Sequence, residues 1–578
     1  MASDVEKIKE RLTIEEVVGS YVELNQSGKY LQALSPFTNE KTPSFYVSPD
    51  KGLFHCFSSG KGGDIFTFIQ EMEGVEFREA LKLLADRAGV SLSGGGGGDS
   101  GRKQRLHDIL AAARDFYARK LKEGSAGKAY LTQRGIEEKT ADIFKLGEAP
   151  DDWRQLTEFL QSEGYRLEDI LEAGLAKQPD NNKSAYDRFR GRLLFPLNDP
   201  TGRPVAFSGR RLKEDDKTAK YINSPETPLY HKKKVLYGFD LAKDKLRELK
   251  AAILVEGQID LVLAHQAGFS NTVASSGTAI TTDHLKLLQR FTDNLILALD
   301  TDTAGRASTL KTSRLALTLG MNPKVAALPD DTDPADIING EGKAAFKAVI
   351  AQAKDVVEVA IGWAREDGRG RQGFLELVQR NVFPLLSSIE NKISQDHYIE
   401  KVSQLADIRE QTLRSELLKL NSQPSNSPIN LRPVQLDDSK DELLTPHERK
   451  ESIYQKILTF IEWLKELEKP VFDPEKIKER IAEISKLNIG RELSAEVTEN
   501  DVLALDIAYE DASDKRIRRD LEELLLHFEV QVLQDTYERA SRQVAREVDK
   551  KTRQRILEKC QKISRRIHEI REKVRELV

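Results

Sequence analysis

Three apolar runs in the middle of the chain each end in acids. Ala252-Ile253-Leu254-Val255 leads into Glu256-Gly257, and Asn294 to Leu299 leads into Asp300-Thr301-Asp302, with Gly305 and Arg306 just beyond. The run over 325–328 ends in Pro329-Asp330-Asp331-Thr332-Asp333-Pro334-Ala335-Asp336. Helical patterning separates these runs, so the spacing predicts strands over 252–255, 294–299 and 325–328 in a parallel sheet covered on both faces. In such a sheet ligands gather outside the carboxyl ends of the strands. Alternate residues of an extended segment point the same way, so Asp300 and Asp302 can face one cation. Clustered hard oxygens suit Mg²⁺ or Mn²⁺, which keep part of their water and bind substrate phosphates. Singly, each acid is an ordinary helix cap or turn former. Acids at three successive strand ends argue for a site.

A basic segment stands upstream. Residues 181–234 carry thirteen Lys/Arg against six Asp/Glu, a local net charge of +7, whereas the whole chain of 578 residues is at −5. Such a segment can bind a nucleic-acid backbone or the triphosphate of a nucleotide. Its cations are interleaved with Phe189, Phe195, Phe207, Tyr221 and Tyr230, which separates it from a merely solvated charged face.

Several elements must carry these groups. At this length three or four domains are expected rather than one core. Two cysteines, Cys56 and Cys560, exclude a disulfide framework and suit a reducing cytoplasm. The opening MASDVEKIKERL lacks the apolar core of a signal peptide, and no run approaches the roughly 20 apolar residues of a membrane span. Gly94–Gly98 with Asp99-Ser100-Gly101, and the polar stretch from Asn421 to about Asp441, read as tethers. Before the first tether, an amphipathic helix precedes β-like runs around Tyr46 and Phe54, followed by a helix over about 63–88. Residues from about 343 to 420 read as helical. Beyond the second tether, Leu521, Leu524, Leu525, Phe528 and Val532, then Ile556, Cys560, Ile563, Ile567, Ile570 and Val574, form apolar stripes on helices. Cys560 thus reads as a small core residue.

VEGQID, SSGTAITTDH, ALDTDTAGRA and LPDDTDPADII, in this order, resemble the Toprim domain of bacterial DnaG-type DNA primases. Toprim also occurs in topoisomerases and some nucleases, so these words alone imply metal-dependent phosphoryl chemistry. The resemblance implies that Glu256, Asp300 and Asp302 are the catalytic, metal-binding acids and that Asp333 is a further metal ligand. Asp260 falls where the family also has an acid. Where the family often shows Asp-Pro-Asp, Ala335 follows Pro334 here and the acid comes one residue later, so Asp336 is carried over as the fifth metal carboxylate.

YDRFRGRLLFPLNDPTGRPVAFSGRRL and KYINSPETPLYHKKKVLYG are similar to the primase RNA-polymerase domain, and YLTQRGI resembles its Arg-Gly signature. Topoisomerases lack this block beside their Toprim. The resemblance implies that Arg134, Arg210, Lys220, Asn223 and Lys232 line the groove and contact nucleotide or template. The family's Phe-Gly-Gly-Arg reads Phe207-Ser208-Gly209-Arg210 here, a small residue expected to cost little.

SPFTNEKTPSFYVSPDKGLFHCFSSGKGGD has the frame of the family's zinc ribbon, but the four ligand positions read Ser35, Thr38, Cys56 and Ser59. Hydroxyls do not replace thiolate or imidazole in a closed zinc tetrahedron, so this module is expected to lack zinc and to need another source of stability.

The expected architecture is multidomain α/β and α+β. A degenerate zinc-ribbon-like module (1–93) and a Gly-rich linker (94–101) precede the basic amino-terminal part of a primase core (102–247). A Toprim domain (248–340), a helical part of the core (341–420), a linker (421–441) and an all-helical carboxyl-terminal domain (442–578) follow. The resemblance implies a cytoplasmic DNA primase that makes short RNA primers from ribonucleoside triphosphates on single-stranded DNA, with two Mg²⁺ or Mn²⁺ ions. By position and composition, the carboxyl-terminal helices would dock on the replicative helicase at replication forks, without a membrane; a self-packing bundle is the equal alternative. Rival readings are a non-catalytic single-stranded-DNA-binding scaffold, against which the intact acids argue, and another Toprim nuclease or topoisomerase. The latter would need a tyrosine nucleophile in a domain that no sequence cue marks.

Overall fold

Short alternating runs near the amino terminus pair as an antiparallel meander, β1 (Asn25–Ser27), β2 (Tyr30–Ala33), β3 (Phe45–Ser48), β4 (Leu53–Cys56) and β5 (Lys61–Gly63), in sequence order. The structure, a computed structural model, describes residues 3–577 apart from 39, 91, 93–98, 125, 180–183, 214–218, 276, 278, 330–331, 390, 407, 422–445, 468, 487–496, 511 and 547–548. The glycine run and the second tether past Asn421 thus lie outside the described residues. The stretch Asp99-Ser100-Gly101, expected as tether, instead opens the helix Asp99–Glu123.

The chain divides into two compact units. One comprises 9–36, 40–68 and 430–578; the other comprises 1–8, 37–39 and 69–429. In the first, the meander closes over Phe45, Phe54 and Phe68, with Phe45 and Phe54 stacked at 5.3 Å and Phe68 edge-on to Phe54 at 5.5 Å. Its carboxyl-terminal part is helical: Pro446–Glu466, Pro474–Ser485, Glu499–Ala508, Asp514–Arg546 and Lys550–Leu577. Leu521, Leu525, Phe528 and Val532 pack with Ile457 and Ile461, while Ile563 and Ile570 meet Leu526, Val530 and Leu533. Both stripes read from the sequence therefore face cores, and Cys560 is buried as a small core residue.

The second unit holds two larger sheets. β6 (Gly147–Ala149), β9 (Arg192–Asn198), β10 (Pro204–Arg211) and β11 (Tyr221–Asn223) form an antiparallel sheet in the order β11-β10-β9-β6, beside a two-stranded pair, β7 (Ala176–Lys177) and β8 (Tyr186–Asp187). β12 (Ala252–Val255), β13 (Thr272–Ala274), β14 (Asn294–Leu297), β15 (Asn322–Val325) and β16 (Lys354–Asp355) form the other, in the order β13-β12-β14-β15-β16. Its first four strands are parallel and β16 is an antiparallel edge. All four residues of β12 are buried, as a sheet covered on both faces requires.

Three expectations shift. The strand expected over 325–328 lies at 322–325, and the chain beyond it turns toward the acids while the Ala326 amide still donates to the Leu297 carbonyl. The helix expected over 63–88 is two, Ile65–Glu73 and Phe77–Ala88. Gly74 breaks it with φ +71°, where a Cβ would lie 2.9 Å from the Phe291 ring. Among its described residues the region 343–420 is helical apart from β16 and short connections between helices. Among the described residues no helix is long and apolar enough to cross a membrane.

Cys56 and Cys560 are both buried, with 0% and 7% exposure. Neither should react with a bulky thiol reagent in the native chain, and both should react in denaturant. Rapid release of two equivalents from native protein would contradict this packing.

Candidate active site

The carboxylates meet where the strand order reverses. From β12 the chain crosses through the helix Gln258–Gln266 to β13 on one side, and from β14 it crosses through Thr303–Thr318 to β15 on the other. The crevice between β12 and β14 is the switch point at which doubly wound sheets hold ligands. Glu256 leaves β12 there, and Asp300 and Asp302 follow β14. The Asp300 amide donates to the Glu256 carboxylate, tying the two strand ends together.

Asp302 caps the helix Thr303–Thr318, its Oδ1 accepting from the Gly305 amide at 2.7 Å. Asp333 caps Pro334–Gly340 the same way, accepting from the Asp336 amide at 2.7 Å, and Asp336 closes the reciprocal capping box. The ordinary capping role is thus real for both residues, but it engages Oδ1 alone. Gly305 is obligatory: a Cβ there would lie 2.1 Å from the Asp300 carbonyl oxygen.

The acids feel one another. Burial, then Asp333, Asp302 and Asp336, push the Asp300 carboxyl above its usual range, and Lys220 opposes them. Burial, then Asp300 and Asp302, push Glu256 up. Asp260 is 8% exposed and is pushed up to about 7 by burial, then by Asp333 and Asp300. It accepts from the amides of Gly257 at 3.2 Å and Ala335 at 3.4 Å, bracing the starts of two helices. Asp336 is exposed at the edge of this group. Among the described residues no three His, Cys, Asp or Glu side chains could by themselves hold a metal ion. An open acidic edge fits Mg²⁺ or Mn²⁺, which retain water and share substrate oxygens.

The sequence-predicted cations gather in the same unit. Arg134 rests on Tyr130, its Nε donating to the tyrosine oxygen at 3.1 Å, and it feels the field of Asp333. Arg210 donates to the Tyr221 hydroxyl at 2.9 Å and lies 4.8 Å from the Tyr130 ring centre. Lys220 is exposed and close enough to oppose the rise at Asp300. Asn223 ends β11, its carbonyl held by Arg188. Lys232 follows, with its amide on Glu226 at 3.0 Å and its carbonyl accepting from the His284 ring at 3.1 Å.

The basic block is not uniformly a surface. Arg192 is buried and donates to the carbonyls of Gly209, Ala219 and Lys220, fixing the strand that presents Lys220. Arg203 is held by Asp199 and Glu79. Lys183 and residues 214–217 lie outside the described residues. Ser208, expected only to be tolerated, is fully buried and its hydroxyl accepts from the Gln258 side chain at 2.9 Å, joining the two sheets. His284 and Gln258 stand inside the Toprim-like words, but their pairing carried no sequence signal, because their partners lie about 50 residues away.

At the ribbon, the family's ligand positions hold no zinc donor set. The Cys56 thiol donates to the Ser35 hydroxyl at 3.1 Å and lies 3.4 Å from Ser58 Oγ. Glu40 gathers the loops instead, accepting from the Ser35 amide at 2.7 Å and from the amide and hydroxyl of Ser44. Burial raises its carboxyl, but these bonds and one from Ser58 outweigh it and hold the pKa low. Ser59 accepts from the Lys61 amide, and Thr38 is half-buried.

Comparison with known proteins covers each of these regions. The CHC2 zinc finger family matches residues 1–97, the DNA primase catalytic core N-terminal domain 116–243, and the Toprim-like family 253–338. The DNA primase of Clostridium acetobutylicum is 37% identical over 433 residues, 74% of this chain and 71% of that protein. That of Mycobacterium tuberculosis is 40% identical over 418 residues, 69% of this chain and 65% of that protein. The crystal structure of the zinc-binding and RNA polymerase domains of Aquifex aeolicus primase is similar with a TM-score of 0.50 and 32% identity, covering 72% of this chain and all of that one.

His284 gives a test of how Lys232 is positioned. Burial pushes its imidazole down to about 4, against the opposing pull of the Lys232 carbonyl and Asp283. A depressed histidine contributes stability that is complete above its unfolded value near 6.5 and is lost as pH falls toward 4. The His284 ring resonance, assigned by its absence in His284→Gln, should therefore stay in the neutral position from pH 8 to 5. Titration near 6.5 would place the ring in solvent.

Proposed function

The chain belongs to the bacterial DnaG-type DNA primases, and from that premise we propose that it joins ribonucleotides into short primers on single-stranded DNA at the β12–β14 crevice. The observation that carries this reading is the convergence of Glu256, Asp300, Asp302 and Asp333 on one sheet edge with Lys220 and Arg134 within their field. Nucleotidyl transfer displaces pyrophosphate from a ribonucleoside triphosphate by attack of a primer 3′-hydroxyl. Two divalent cations, when bound, would lower the pKa of that hydroxyl and offset charge on the leaving phosphates.

The protein's own contribution is placement. Glu256, Asp300 and Asp302 are the metal-holding acids of this proposal, with Asp333 and the exposed Asp336 beside them. Asp302 and Asp333 are held by the helix caps they make, and Asp260 braces the loops behind them as a positioning group. Arg134, Arg210, Lys220 and Lys232 bind triphosphate or template backbone, and Asn223 presents the strand between them. Tyr130 and Tyr221 pin Arg210 in one orientation, so little side-chain entropy remains to be lost on binding.

The ribbon is a module without zinc in this reading. Ser35, Thr38 and Ser59 supply no thiolate or imidazole, and Cys56 is engaged with hydroxyls. Its polar network is no energetic equivalent: a hydrogen bond nets roughly 0.5–1.5 kcal/mol, against about 10–16 kcal/mol for a structural zinc site. The carboxyl-terminal helices carry none of the catalytic groups and are proposed to dock on the replicative helicase.

Asp300→Ala and Asp302→Ala should each abolish primer synthesis while leaving single-stranded DNA binding largely intact. The same substitutions should cancel the rise in melting temperature that Mg²⁺ gives the wild type, a linkage worth about 2.7 kcal/mol at a hundredfold excess over Kd. Near-normal primer yield from either variant would end the two-metal reading. Elemental analysis of protein purified without chelator should find no stoichiometric zinc. One zinc per chain would reverse the reading of the ribbon.

A further inference from the structure

The helix Glu499–Ala508 has two faces with different partners. Val502 and Leu505 join the core of the helical bundle, with Tyr509 just beyond. Leu503 instead joins Tyr30 and Leu53 of the ribbon, with Tyr46 and Ile507 packed against them, and is fully buried there. Asn500, Leu503, Ile507 and Glu510 recur every three or four residues, which places them on one side of the helix.

Polar contacts to the ribbon come from this helix and its end, and one from the helix Pro446–Glu466. One carboxylate, Asp506, accepts from the Tyr30 hydroxyl at 2.8 Å, from Lys29 Nζ at 3.0 Å and from the Trp463 indole at 3.1 Å, so it links β2 to two helices. The Lys29 amide donates to Glu510 at 3.1 Å. Lys51 pairs with Glu466 at 2.6 Å, and the His55 ring lies 3.3 Å from the Asn500 side-chain oxygen. Two ribbon glycines permit the approach. A Cβ on Gly62 would lie 2.0 Å from Asn500 Oδ1, and one on Gly28 would lie 2.5 Å from Glu510 Oε1.

We propose that the helix Glu499–Ala508 is the ribbon's resident structural partner, occupying its β2–β4 face and supplying the stability that a metal does not. The ribbon then reaches its full stability only when docked on this helix, although more than 400 residues of sequence intervene. Phe45, Val47, Phe54 and Phe68 are buried within the ribbon region itself, whereas Tyr30 and Leu53 are buried in a separate cluster whose centre, Leu503, comes from the helix. This inference rests on the zinc-free reading of the ribbon.

Hydrogen–deuterium exchange on the full chain tests it. In Leu503→Ala, amides of 30–33 and 53–56 should lose protection by roughly tenfold or more. Those of Pro446–Glu466 and of 252–255 should keep theirs, since Leu503 joins the ribbon cluster and not the bundle core, and 252–255 belongs to the other compact unit. Gly62→Val, made on the ribbon side and outside the bundle core, should loosen the same strands by displacing Asn500. Chelator should leave the wild-type ribbon unchanged. If neither variant loosens the ribbon and chelator is without effect, the partner role is overturned while the zinc-free reading stands. If chelator loosens the ribbon and the variants do not, both fall.

Discussion

Like charges crowded at the end of one parallel sheet are the constraint on which the rest of the catalytic unit depends. Glu256, Asp300 and Asp333 each sit with raised proton affinity because burial and neighbouring acids oppose their ionisation. Without a cation such a cluster opposes the fold, so the backbone must hold it by other means. It does so with two helix caps, a hydrogen bond from the Asp300 amide to the Glu256 carboxylate, and a glycine at 305 that lets a helix start against the Asp300 carbonyl. Asp260, largely protonated below about pH 7, braces two loops without adding full charge to the group.

The cations opposite are divided by task. Arg188 and Arg192 are spent on main-chain carbonyls, and Arg203 on Asp199 and Glu79, so they shape the groove rather than charge it. Arg134 and Lys220 remain in the field of the acids, and Arg210 lies between Tyr130 and Tyr221. A net local charge of +7 therefore overstates the electrostatic surface, because a buried guanidinium saturated by backbone oxygens projects little field into solvent.

The acids at the sheet edge were legible in the sequence because their signal is local: an apolar run, then acids, three times over. The parallel sheet and the apolar stripes of the last helices were legible for the same reason, periodicity over a few residues. Strand ends were less so. The chain 322–325 carries Pro323 and Lys324, and only pairing with β14 and β16 makes it a strand. Contacts that join distant segments gave no signal. VLALDIA, over 502–508, reads as one apolar run, and nothing in it separates the residue that faces a bundle from the residue that faces a ribbon some 470 positions earlier. Arg192 likewise looked like any other cation, since its role is set by carbonyls 17 to 28 residues away.

The buried bond between Ser208 and Gln258 carries a constraint on sequence change. A glycine at 208 would strand a buried amide, and an apolar side chain at 258 would strand a buried hydroxyl, each at a cost of about 1–3 kcal/mol. Changing both together avoids either orphan. The two positions are therefore coupled, and neither can drift alone without crossing a less stable intermediate. A chimera taking residues up to about 247 from this chain and its Toprim domain from a relative would take Ser208 from one parent and its partner position from the other. Its seam holds only where the relative also brings a side-chain donor to the position of Gln258, a condition that no surface loop or domain boundary marks.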